Sequence, residues 1–271
     1  MKKVVAKILI FNGDIMERLK KIINNRVVAV IAHGKSVEEL EKRIEEFKKF
    51  DICWATLNQF PIMEKFILNK IDKQLDIVFD SSTITRDLAE EFEKSVRIPR
   101  LKEFLERKYK NMWITTEGVL KWYLLPFGYK DFLFKHNRKI LIIDDLIPKQ
   151  FLSVPNSLTL LLSSVAIGGA KTILLFGADG CTGNYIDNIK SFYKPEYQAK
   201  ERMMSIGNII DSSVTRDAED FQHRFMRIYH THCQLHNIVP PTIINCSENS
   251  TYRIFQKLEY KELEKWLRLM T

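Results

Sequence analysis

The chain lacks the glycine-rich phosphate loops. No Walker A lysine motif and no G-x-G-x-x-G follows any apolar run, so ATP or NAD binding of those types is not expected. A G-x-S-x-G nucleophile elbow is missing too. Only four cysteines occur, Cys53, Cys181, Cys233 and Cys246, scattered and without a C-x-x-C pair. That usage suits a reducing, cytoplasmic setting in which they act as small buried hydrophobes. Ten glycines and eight prolines in 271 residues are too few for a fibrous or disordered chain, and seventeen Phe call for a real core. Apolar runs such as Leu158–Leu162 and Ile173–Phe176 fall far short of the ~18 residues of a membrane span. The opening Met-Lys-Lys imitates a signal peptide, but Asn12-Gly13-Asp14 interrupts the apolar run and no small-residue cleavage site follows. It is expected to be the start of the folded chain.

What is present is charge and alternation. Forty-two Lys and Arg against thirty-four Asp and Glu leave a formal net charge of +8. The basic residues alternate with acidic ones, as in Glu38-Glu39-Leu40-Glu41-Lys42-Arg43, which solvates a helix face and does not build a phosphate-tracking stripe. Nucleic acid is therefore not an expected partner. A basic surface still suits anionic nucleotides, acidic glycans or anionic lipid.

Val27 to Ala32 is a continuous apolar run rich in β-branched residues, the pattern of a strand buried on both faces. Further strands are expected over 51–55, 75–79, 112–115, 139–143, 172–176 and 242–245. Ser36 with Glu39 forms a capping-box pattern ahead of Val37, Leu40, Ile44, Phe47 and Phe50 at helical spacing. A helix is expected between the second and third strands, a buried one over 157–166 and a long one over 215–236. Residues 181–212 are polar and irregular, the composition of an active-site flap. A C-terminal amphipathic helix over 256–271 carries Leu258, Leu263, Trp266, Leu267 and Met270 on one face. That face can dock on the domain or dip into a membrane surface beside Lys257, Lys261, Lys265 and Arg268. Strand and helix alternate throughout, which predicts a single α/β domain over 1–271 with a mostly parallel sheet.

In open α/β sheets ligands bind beyond the carboxyl ends of the strands. That rule singles out Gly34 and Ser36, Asn58 and Gln59, Asp80 and Ser81, and Asp179. Gly34 lets backbone approach a phosphate, and the helix N-terminus behind it offers N–H groups. Asn58 and Gln59 carry paired donors and acceptors suited to a base or sugar edge. Each alone is also an ordinary turn residue. His230, His232, Cys233 and His236 form the one metal-like cluster, but His232 and His236 are only two ligands on a shared helix face. No metal is assigned.

The ordered set of motifs resembles a known family. It comprises the turn at Gly34 to Ser36, Asn58-Gln59-Phe60, Phe79-Asp80-Ser81, Ser157 opening a helix that ends in Gly169-Ala170-Lys171, and Gly177-Ala178-Asp179. Over roughly residues 27 to 255 it is similar to the bacterial sialyltransferases of glycosyltransferase family 42. It is also similar to the related domain of motility-associated glycosyltransferases and archaeal 6-hydroxymethylpterin diphosphokinases. The resemblance implies a Rossmann-like fold with the flap inserted after a late strand, and a CMP-sugar donor held without a metal.

It matches Gly34 and Ser36 to the phosphate turn, and Asn58 to the asparagine that touches the nucleotide. Asp80 or Ser81 stands where the family has an asparagine, and Ser157 matches a serine beside the cytosine. The turn containing Asn245, Ser247, Asn249 and Ser250 corresponds to a late nucleotide-facing turn. Tyr185 stands for one of two tyrosines on the leaving phosphate, the other position being Cys181. The catalytic histidine falls on Asp211, which can act as general base or as a helix N-cap, and His223 is a second candidate base.

Three functions are open at this stage. One is an inverting glycosyltransferase with a nucleotide-sugar donor and a glycan acceptor. The second is a pterin-alcohol diphosphokinase using ATP and Mg²⁺ held by Asp80, Asp179 and Asp211. The third is a non-catalytic nucleotide-binding relative. Peripheral contact with the inner face of the membrane through the C-terminal helix, and homo-oligomers, are compatible with each.

Overall fold

The computed structural model describes residues 15–32, 34, 36–57, 67–81, 98–107, 110–125, 128–152, 156–179, 218–247, 250 and 252–270. Residues 1–14 and the expected flap 181–212 lie outside these, as do the residues between the second and third strands up to 66.

Eight strands form one parallel sheet: β1 (Val27–Ile31), β2 (Ile52–Leu57), β3 (Ile77–Asp80), β4 (Met112–Thr115), β5 (Ile140–Ile142), β6 (Thr172–Phe176), β7 (Thr242–Asn245) and β8 (Gln256–Lys257). Their spatial order is β5-β4-β3-β2-β1-β6-β7-β8. Every residue of β1 to β6 is buried. A strand covered by helices on both faces has no wet side, so its sequence is a solid apolar run without alternation. Within β1 the pleat still sorts side chains: Val27, Ala29 and Ile31 join one core layer, Val28 and Val30 the other.

The helices of six or more residues are α1 (Ile15–Ile23), α2 (Val37–Arg43), α3 (Ile98–Glu106), α4 (Lys130–Lys135), α5 (Ser157–Ile167), α6 (Ala218–Leu235) and α7 (Tyr260–Met270). Side chains of α2, α3 and α7 build the first core layer; those of α1, α5 and α6 build the second. The chain winds outward from β1 to β5, then returns to the other side of β1 as β6. This is the α/β arrangement that the strand–helix alternation predicts, Rossmann-like as the resemblance implies, and its topological switch point lies between β1 and β6.

Local differences have local reasons. The capping box does not form: Ser36 makes no side-chain cap to α2, because its hydroxyl is turned to Asp179. β8 was not expected, since a two-residue exposed edge strand carries no hydrophobic pattern. The apolar face of α7 is turned inward, with Tyr260, Leu263 and Leu267 at 1% exposure or less and Trp266 and Met270 packed beside them. Lys257 sits on β8 and not on that helix, donating to the Ser250 carbonyl at 2.8 Å. His232 is held by Ser163 Oγ on Nδ1 (2.9 Å) and the Phe151 carbonyl on Nε2 (2.8 Å), while His236 Nε2 meets the Leu146 carbonyl at 2.6 Å. Burial lowers the His232 pKa, which keeps the ring neutral in the second core layer. Among the described residues no three His, Cys, Asp or Glu side chains could share a metal ion.

A polar cluster sits under the opposite, amino edge of the sheet. Arg26 donates to Asp51 Oδ1 at 2.6 Å and to the Ile22 carbonyl at 2.8 Å, and Asp76 Oδ2 accepts the Trp54 N–H at 2.8 Å. Burial raises the Asp76 pKa, with the Trp54 N–H and Arg26 opposing it. A carboxyl whose folded pKa is raised adds stability below its unfolded value, near pH ~4, and loses it as pH climbs through the folded value. Asp76→Asn keeps an acceptor for Trp54 and removes the buried charge. The variant is expected to melt at least as high as the parent at pH 7, with its advantage shrinking toward pH 4. A Tm at pH 7 well below the parent's would contradict this.

Candidate functional site

The carboxyl ends of the strands collect the predicted residues on one rim. At the switch point the β1 and β6 tips are stitched together: Gly34 N–H donates to the Gly177 carbonyl at 2.7 Å, and Ala32 N–H to the Phe176 carbonyl at 2.8 Å. A Cβ on Gly34 would lie 2.5 Å from that carbonyl oxygen, so only glycine allows the approach. Asp179 then reaches across the seam. Its Oδ2 accepts the Ser36 N–H at 2.9 Å, and its Oδ1 accepts the Ser36 hydroxyl. The N-terminus of α2, expected to offer its N–H groups to a phosphate, is thus capped by the protein's own carboxylate, which the positive end of the helix favours.

The late turn is folded onto the same tip. Asn245 is 1% exposed; its Nδ2 donates to Ser250 Oγ (2.8 Å) and to the Ala178 carbonyl (3.4 Å), and its Oδ1 accepts the Ser247 N–H (3.0 Å). Ser250 Oγ donates to the Ala178 carbonyl at 2.5 Å, and Ser247 Oγ accepts the Ala178 N–H at 3.0 Å. These three side chains, expected to face a ligand, are engaged in fastening the turn to the β6 tip. Burial pushes the neighbouring Cys246 thiol well above its ordinary pKa, so it stays protonated and inert.

On the other side of the seam, Asp80 ends β3 and is 3% exposed. Ser81 follows it, and its hydroxyl meets that of Ser157 at 2.6 Å, part-buried, at the start of α5. The N-cap of α5 is Asn156 and not Ser157: Asn156 Oδ1 accepts the Thr159 N–H at 3.0 Å. That leaves the Ser157 hydroxyl in the first turn, at the rim. Two buried threonines brace the strand ends: Thr56 Oγ1 donates to the Ile31 carbonyl (3.0 Å) and Thr115 Oγ1 to the Asp80 carbonyl (2.8 Å).

The structure therefore brings together Gly34, Ser36, Asp80, Ser81, Ser157, Asp179, Asn245, Ser247 and Ser250 on the carboxyl rim. Exposed His223 lies in the second turn of α6. Asn58, Gln59, Tyr185, Asp211 and Asn249 lie outside the described residues. Lys257 is the rim residue that sequence reasoning missed. It was assigned to a helix face, and the signal that could have moved it, a strand at 256–257, is too short to see. Asn156 had a signal: an Asx residue directly before a long apolar helix is an N-cap pattern.

These features define a doubly wound α/β protein whose polar strand tips gather at its switch point. Compared with protein-family models and with curated proteins, the chain matches none of them.

Proposed function

We propose that the protein is a glycosyltransferase that takes a sugar from a nucleotide donor, CMP-linked as in the family it resembles, and needs no metal. One observation carries this reading: the tips of β1, β3, β6 and β7, up to 209 residues apart in sequence from Ser36 to Asn245, lie on one rim, those of β1, β6 and β7 joined by hydrogen bonds at the switch point. Hydroxyls of Ser81 and Ser157 at the start of α5 hydrogen-bond the nucleotide, and the Lys257 ammonium at the far end of the rim draws its phosphate. The acceptor oxygen attacks the anomeric carbon as the bond to the phosphate oxygen breaks; that electron pair leaves with the nucleotide. The acceptor proton passes to Asp211 or His223.

The geometry supports the diphosphokinase reading less well. Asp80 ends β3, while both carboxylate oxygens of Asp179, three residues beyond β6, are engaged by Ser36 across the β1–β6 seam. Asp179 is thus committed within the protein, which weakens it as a Mg²⁺ ligand beside Asp80.

A thermal-shift panel of CMP, CDP, UDP, GDP and ATP, each with and without Mg²⁺, tests the proposal. CMP is expected to raise the Tm without Mg²⁺, since ligand at 100 times its Kd adds about 2.7 kcal/mol. Ser157→Ala and Lys257→Met are expected to shrink that shift. Stabilisation by ATP with Mg²⁺ alone would move the assignment to the diphosphokinase, and silence across the panel would overturn both.

A further inference from the structure

We infer that the amino edge of the sheet, the face opposite the candidate site, is a docking surface for an anionic lipid bilayer. The three large apolar side chains that the described residues leave exposed are Val239 (88%), Leu269 (78%) and Leu235 (40%). Single exposed apolar residues need no explanation, but these three share one end of the molecule. Leu235 closes α6 and Val239 lies in the turn that leads into β7. Leu269 lies in the last turn of α7, where the Lys171 ammonium, at the foot of β6, donates to the Met270 carbonyl at 2.6 Å. Because β6 and β7 are neighbours, the α6 and α7 ends flank the same stretch of edge.

Most of the other turns on that edge are basic, for a reason built into the fold. In a parallel α/β sheet each helix following a strand runs back toward the amino edge, so helix C-termini gather there and favour Lys and Arg. In the turns 20–26, 48–51, 107–111, 136–139 and 168–171, Lys and Arg outnumber Asp and Glu; the turn 72–76 into β3, with Asp72 and Asp76 against Lys73, is the exception. Lys21, Lys110 and Arg138 are exposed and make no ion pair with a described residue. Apolar side chains at one end of a face and these three exposed cations along the rest match a bilayer with anionic headgroups: the first enter the interface and the second each add attraction that falls off within a Debye length. Docked in this way, the carboxyl rim points away from the lipid and its substrates reach it from water. The apolar face of α7 has no part in this, being buried.

The test is co-sedimentation of the full chain with vesicles of phosphatidylcholine alone or with about 30% phosphatidylglycerol, which gives the surface a negative potential. Binding is expected to the anionic vesicles only, and to fall at least ~10-fold between low and high salt. Val239→Glu with Leu269→Glu, and separately Lys21→Glu with Lys110→Glu and Arg138→Glu, should each abolish it while the Tm stays within a few degrees of the parent. Absence of binding, equal binding to both vesicles, or binding untouched by the exposed-surface variants would overturn the proposal. So would a concentration-dependent dimer in light scattering that Val239→Glu abolishes, since the face would then belong to a second copy of the chain.

Discussion

Gly177→Ala is expected to cost about 3 kcal/mol or more, a fall of roughly 6–12 °C in Tm for a chain of this size. Gly177 directly follows β6 with φ of 67°, a region that a Cβ disfavours. The added methyl would also lie 2.6 Å from the Ala32 carbonyl oxygen and against Val37. Ala32 cannot retreat cheaply, because its N–H is bonded to Phe176 and its neighbour Gly34 is bonded to Gly177 itself. Gly128 provides the control: its φ is 84°, yet a Cβ there meets nothing within 4 Å. Gly128→Ala should cost only the backbone term, about 1 kcal/mol. Equal losses in the two variants, measured by thermal unfolding, would mean that the β1–β6 seam is not closed as described.

Asn245→Leu is the second large effect, and it separates two roles for the late turn. Leucine nearly conserves the volume but leaves the Ser247 N–H without its acceptor and removes two of the bonds that tie the turn to Ala178 and Ser250. Each buried group left unpaired costs about 1–3 kcal/mol, so a total of about 2–4 kcal/mol is expected. In urea this should appear as a lower midpoint at unchanged slope. If Asn245 instead spends its side chain on a nucleotide, the urea midpoint will hold while the CMP-induced shift disappears. The hydrogen bonds favour the first outcome.

Both variants touch contacts that no local pattern announces. Val27–Ile31 and Thr172–Phe176 were legible as buried strands because burial on both faces demands an apolar side chain at every position, and that demand is written in consecutive residues. The buried helix at 157–167 was legible for the same reason. Strand tips were legible as a class, since several strand ends in succession carry small polar residues, although each alone is an ordinary turn residue. Their division of labour was not. Ser36 reads as a local helix cap and is instead paired with Asp179, a residue 143 positions away. Asn245, Ser247 and Ser250 read as ligand contacts and are the fastening of the β6 tip. Lys257 reads as part of a helix face and belongs to the rim.

The apolar stripe of the last helix shows the same divide. Its spacing established that one face seeks cover, and nothing in the spacing could say whether lipid or protein supplies it. In the fold, the first core layer covers it, and the exposed apolar groups are those at the ends of α6 and α7.

By itself, then, the order of residues determined seven of the eight strands, the helices that follow β1, that precede β6 and that lead into β7, that the sheet is mostly parallel, and that its tips are polar, because these follow from periodicity and burial over a few neighbouring positions. Tertiary structure alone decided that β6 returns beside β1, which carboxylate caps which helix, and which polar side chains are used up in holding the rim. Those outcomes depend on hydrogen bonds between groups far apart in the sequence, 67 residues for Asn245 and Ala178 and 143 for Ser36 and Asp179, whose geometry exists only once the sheet has assembled.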